Sequence, residues 1–265
     1  MKTIKFLTGL VLTCCASANW LHASDKYHTP ENEQAIRFTS KDGQSTQAYK
    51  GELKVPENRA DEKTRQIAIS YVRFPATGDK KGSPIIYLAG GPGGSGVATA
   101  KGARFSLFMA LRQFGDVIAL DQRGTGGSES APACQSSERL SLTKVYSPDV
   151  IARHYRKAAK QCVSQWQQQG FDVNGYTTVQ NAWDIDALRQ HLGAEKVTLW
   201  GISYGSHLAL AAMELFEERI DKVIIASAEG RVKASQASRA PTRPPRSSLA
   251  RPIALTPRPP RLVSR

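Results

Sequence analysis

The stretch Gly201-Ile202-Ser203-Tyr204-Gly205 holds a serine between two glycines, G-x-S-x-G. A serine hydroxyl attacks an acyl carbonyl when a tight turn exposes it and a neighbouring group takes its proton. The residues "VTLW" precede the motif and read as a strand, and "HLALAAMELF" follows as a helix. At the tip of a strand-to-helix turn the nucleophile has strained dihedrals, and small neighbours such as Gly201 and Gly205 let strand and helix close together. The turn also sets the Ser203 hydroxyl beside the free N–H groups of a helix start, so the Tyr204 N–H becomes a donor to a developing oxyanion. A second donor is expected from a glycine-rich loop after an earlier strand, and "AGGPGGSG" (residues 89–96) is such a loop. It lacks the G-x-x-x-x-G-K-[S/T] order of a nucleotide-phosphate loop.

The elements that must position these residues follow from pattern. "AYKGELKVP" and "RQIAISYVRFP" read as antiparallel strands between residues 47 and 75. Residues 85–89 and 117–120 are short apolar runs, as in strands buried on both faces. Helical spacing is found over 97–114, over 148–169 with Gly170 beyond it, and over 179–192 closed by Gly193. "KVTLWG" and "DKVIIASA" complete the strands. Strand and helix alternate from residue 84 to 228, which calls for a mostly parallel sheet with helices on both faces.

Taken together, "GGPGGSG", "DQRGTGGS" and "GISYGS", in this order and spacing, resemble the proline iminopeptidase and tripeptidyl aminopeptidase family over about residues 50 to 229. "DIDALRQHLGAEKVTLWG" resembles the helix and strand before that family's serine. The resemblance implies an α/β-hydrolase fold and a serine peptidase acting on short peptides, or on related esters and amides, through an acyl-serine. It implies Ser203 as nucleophile and the Tyr204 and Gly91 backbone N–H groups as the oxyanion hole, and it implies no cofactor. For Asp121 and Arg123 a loop-fixing or ion-pair role is favoured over direct catalysis. One departure is Ala89, where many relatives carry His.

In that fold an acid and then a histidine follow the serine in the chain. After Ser203 comes one histidine, His207, a single turn along the same helix. His22, His28, His154 and His191 all precede the serine, and the last two are expected on solvent-facing helix surfaces. Glu214, Glu217, Glu218 and Asp221 are poorly placed, and Glu229, after a strand end, is the best remaining acid. The expectation is an α/β-hydrolase fold that is C-terminally incomplete after about Gly230, without triad acid and histidine and without activity of its own. The alternative is a non-catalytic truncated or frameshifted fragment.

Composition bears on the two ends. Of a net charge of +13, nine positive charges and no acid fall in residues 231–265. That tail also holds seven of the fourteen prolines and no aromatic residue, and is expected to be disordered. An anion-binding module built on it is a further reading. Without aromatics to stack on bases, and in an exported chain, no nucleic-acid partner is expected. Residues 1–18 read as a signal peptide: Lys2 and Lys5, a short apolar run, then "ASA". The run is too short to span a bilayer, so no membrane span is expected after cleavage. Export to the periplasm or the exterior follows. Cys14 and Cys15 raise lipoprotein anchoring, although Thr13 stands where a small residue is wanted. The domain plan is thus residues 1–18 signal, 19–46 an N-terminal segment, 47–230 the hydrolase part and 231–265 the tail. After cleavage Cys134 and Cys162 remain, as a disulfide or as separate thiols. They lack the paired His spacing of a zinc site. Oligomeric state is not encoded in any of these patterns.

Overall fold

The computed structural model describes residues 30 and 32–230, apart from 80 and 135. The proposed signal peptide, the lipoprotein cysteines and the basic tail lie outside the described residues.

Seven strands form one sheet: β1 (Gln34–Thr39), β2 (Ser45–Pro56), β3 (Gln66–Phe74), β4 (Ile85–Leu88), β5 (Val117–Leu120), β6 (Val197–Ile202) and β7 (Ile220–Ala226). Their order is β1-β2-β3-β5-β4-β6-β7. The first three pair antiparallel, and β3 runs antiparallel to β5. From β5 through β4 and β6 to β7 all pairs are parallel. β1 comes from the N-terminal segment and extends the sheet beyond what the sequence pattern gave. Its stretch holds only three apolar residues, Ala35, Ile36 and Phe38, too few for a clear alternation.

Alternation along the central strands decides which helix covers which face. Ile86 and Leu88 of β4 point to one side, where they pack with α4 (Thr178–His191) and α5 (Tyr204–Phe216) through Ile185, Leu188, Leu208 and Ala212. Ile85 and Tyr87 point to the other, against α1 (Gly96–Lys101) and α2 (Phe105–Leu111). There Phe108 is the hub of an aromatic cluster, with ring centroids 5.9 Å from Phe74, 5.1 Å from Tyr87 and 4.9 Å from Trp200. Burial of such a ring contributes roughly 1.5–3 kcal/mol.

Residues 97–114, expected as one helix, form two. Gly102 closes α1, its N–H donating to the Thr99 carbonyl with an extended φ/ψ of −89°/−156°. Glycine weakens helix continuity at that point.

α3 (Pro148–Gln168) is capped by Ser147, whose hydroxyl accepts from the Val150 N–H. It buries no residue fully. Its attachment is polar and covalent: Trp166 Nε1 donates to the Pro132 carbonyl at 2.8 Å, Lys157 pairs with Glu138 at 2.7 Å, and a disulfide joins Cys134 to Cys162.

Candidate active site

Ser203 stands between β6 and α5 with φ 55° and ψ −124°. Among the described residues only Ser203 and Ser227 are non-glycine with positive φ. The left-handed region costs an L-residue about 1–2 kcal/mol, so surrounding structure must impose it. The Ser203 N–H donates to the Ala226 carbonyl at the end of β7, 3.0 Å away. Its carbonyl accepts from the Ser206 N–H at 2.7 Å and from Ser206 Oγ at 2.6 Å. The flanking glycines are sterically required. A Cβ on Gly201 would lie 2.3 Å from the Gly205 carbonyl oxygen, and one on Gly205 would lie 2.0 Å from that of Leu88.

The loop 89–96 rides directly on the serine. A Cβ on Gly90 would meet Ser203 Cβ at 3.0 Å. The next residue, Gly91, has φ 128°, and the Gly91–Pro92 bond is cis. Tyr204 is the first residue of α5, so its N–H lies outside the helix's own hydrogen-bond ladder. The structure therefore sets Gly90 against the Ser203 side chain, with Gly91 next in the loop, and Tyr204 directly after the serine at the start of α5.

Asp121 and Gln122 hold this loop from β5. Asp121 Oδ1 accepts from Ser95 Oγ at 2.6 Å and from the Val97 N–H at 3.1 Å, while Oδ2 accepts from the Gly127 N–H at 2.8 Å. Gln122 Nε2 donates to the Ala89 carbonyl at 3.0 Å. Arg123 turns away into the interior. Its guanidinium donates to both Asp184 oxygens, at 2.7 and 2.6 Å, and to the backbone carbonyls of Glu57, Pro56 and Gly175. Both residues tie loops together, as favoured from their setting in the sequence.

The group at hydrogen-bond distance from Ser203 Oγ is a carboxylate. Oγ donates to Glu229 Oε1 at 2.7 Å, and the Glu229 N–H donates to Ser206 Oγ at 2.8 Å. The described histidines are engaged elsewhere. His207 stacks on the Tyr204 ring with centroids 5.7 Å apart, and His154 Nδ1 lies 3.8 Å from Glu138. His191 is not solvent-facing as expected: its Nε2 lies 3.1 Å from the Tyr71 hydroxyl. His154 is likewise partly covered. The helical pattern marks which face a residue takes, but not that β3 and the 136–138 segment lie against those faces.

Burial lowers the His191 pKa from its ordinary 6.5, and nearby Glu33 opposes that shift only in part. The unfolded chain thus takes up the proton first as pH falls. Stability is full above 6.5 and declines as pH drops toward the depressed folded value. His191→Gln is expected to flatten this part of the profile in urea unfolding measured from pH 7.5 to 5. An unchanged slope would remove His191 as its source.

Among the described residues there is no cluster of three or more His, Cys, Asp or Glu able to hold a metal ion, and no helix long and apolar enough to cross a membrane.

Comparison with known proteins agrees with this geometry. The alpha/beta hydrolase fold family matches residues 83–246. Serine protease Hip1 of Mycobacterium tuberculosis is 35% identical over 182 residues, which is 66% of this chain and 35% of that protein. A tripeptidyl aminopeptidase of Streptomyces coelicolor is 28% identical over 67% of this chain and 34% of its own length. A probable proline iminopeptidase of the same organism is 28% identical over 53% of this chain and 31% of its own length. The chain spans about a third of the length of these relatives. The sheet order, the serine turn and these matches place the chain in the alpha/beta hydrolase fold family, related to serine proteases and aminopeptidases.

Proposed function

We propose that Ser203 is the nucleophile of a serine-hydrolase site of the kind that, by family resemblance, forms an acyl-serine from short peptides or from related ester and amide donors. The observation that carries this reading is the strained backbone of Ser203 at the start of α5, with the Gly90–Gly91 loop against it. A carbonyl over Ser203 Oγ would develop its negative charge between the Gly91 and Tyr204 N–H groups. Donors preset at that point act in the transition state without reorganising, and one is worth about 10²–10³ in rate.

Peptide-bond cleavage asks more. An amine leaving group must be protonated as it departs, and a base near neutrality, most often histidine, carries that proton. The hydrogen bond of Ser203 Oγ goes to Glu229, and the described histidines have other partners: Tyr204 for His207, Glu138 for His154 and Tyr71 for His191. Peptide hydrolysis by this chain is therefore expected to fall below detection. An exported setting suits the disulfide and the signal-like N-terminus.

A fluorophosphonate probe followed by peptide mass mapping tests the assignment. The adduct is expected on Ser203 and is lost in Ser203→Ala. An adduct on another residue, or one that survives the substitution, would refute it. Turnover of aminoacyl or tripeptidyl nitroanilides would refute the stated lack of peptidase activity.

A further inference from the structure

We propose that Glu229 is the base that serves Ser203, taking the Oγ proton directly and restricting this chain to acyl and phosphonyl donors with good leaving groups. This rests on Ser203 being the nucleophile.

The contact is built from several sides. Ser203 Oγ donates to Glu229 Oε1 at 2.7 Å. The Glu229 backbone is fixed by its N–H bond to Ser206 Oγ, and that hydroxyl in turn donates to the Ser203 carbonyl. The strand leading to Glu229 is registered on the same turn, because the Ala226 carbonyl accepts the Ser203 N–H. Between them Ser227 takes a φ of 52°, which turns the chain back toward the serine after β7. Among the described residues no Lys or Arg forms an ion pair with Glu229.

The step balances. The Oγ–H bond breaks as Oγ bonds to the acyl carbon, and the proton passes to Glu229. The carbonyl π pair moves onto oxygen, between the Gly91 and Tyr204 N–H groups. It then returns to re-form the carbonyl, and the leaving group departs with its bonding pair. Glu229 then releases that proton to solvent. Water attacks the acyl carbon as its own proton passes to the Glu229 carboxylate, and the acyl–Oγ bond breaks as Oγ takes that proton back from Glu229, freeing the carboxylic acid. A carboxylate is a far weaker base than an alkoxide, so the transfer is uphill until the new bond forms. Leaving groups that depart as stable anions, such as nitrophenolate or fluoride, suit this base. Amines do not.

The full chain, with Glu229→Gln, Glu229→Ala and Ser203→Ala, is treated with p-nitrophenyl acetate and with a fluorophosphonate, and the rate of Ser203 adduct formation is measured by mass spectrometry. Glutamine keeps an acceptor at the same reach but loses basicity. Glu229→Gln is therefore expected to slow Ser203 modification at least tenfold, with the thermal midpoint unchanged. A Glu229→Gln protein that reacts like the parent, or a Glu229→Ala protein that reacts faster, would overturn the role of Glu229 and leave Ser203 as nucleophile. Absence of any Ser203 adduct in the parent chain would instead overturn the nucleophile assignment, and Glu229 with it.

Discussion

Gly205→Ala is expected to abolish the folded state. The added methyl would lie 2.0 Å from the Leu88 carbonyl oxygen and 2.7 Å from its carbon, both backbone atoms of the central strand β4. No rotamer can relieve that overlap. Either α5 or β4 must shift, and both are packed: Leu88 and Leu208 are fully buried. The cost should exceed about 4 kcal/mol, in the range reached by severe core overpacking. Circular dichroism and thermal unfolding read the result directly. Gly43→Ala is the contrast, since Gly43 has φ 86° but nothing within 4 Å of its added Cβ. Its cost should stay near about 1–2 kcal/mol. Similar losses for both would show that the close approach of α5 to β4 is not what Gly205 protects.

Arg123→Ala should be nearly as damaging, by electrostatics instead of volume. The Arg123 side chain is 0% exposed and Asp184 is 3% exposed. Removing the guanidinium leaves Asp184 with Arg59 alone, at 2.7 Å, and takes the side-chain donor from the Glu57, Pro56 and Gly175 carbonyls. Breaking a buried pair from one side costs about 3–5 kcal/mol. Lysine should rescue little, because one ammonium cannot copy a planar fork of five donors. An apolar pair, Arg123→Met with Asp184→Leu, should not restore stability either, since the three carbonyls remain without that donor. Urea midpoints measure all three, and a loss below about 1 kcal/mol for Arg123→Ala would refute the argument.

These two sites show what local sequence conveys. Gly201 and Gly205 around Ser203 announced a close strand–helix approach because the spacing is local and the steric reason is general. The short apolar runs at 85 and 117 were legible for the same reason: a strand covered on both faces has no polar side to show. Arg123 was legible as a structural residue, but its partner Asp184 lies 61 positions away on α4, and no local pattern links them. Glu229 was marked by its place after a strand. Its contact with Ser203 depends on the Ser227 turn and on β6 and β7 being neighbours, and both are properties of the folded sheet. His191 looked like a surface residue because the helical pattern does not reveal that Tyr71 of β3 lies against that face.

The disulfide and the long helix have a consequence for how this domain can change over time. The segment from about Glu129 to Tyr176 leaves after β5 and returns before α4, and α3 within it buries no residue. Cys134 and Cys162 close its outer part on itself, while its two ends are tied to the rest of the domain, Glu129 by the backbone of Ala68 and Tyr176 by Glu57. Most substitutions along α3 therefore leave the packing around Ser203 untouched, whereas a single methyl at Gly205 does not. Sequence drift and changes of length can accumulate in this segment while the strands and the serine turn stay fixed, so new surface properties can arise there without a loss of stability at the serine.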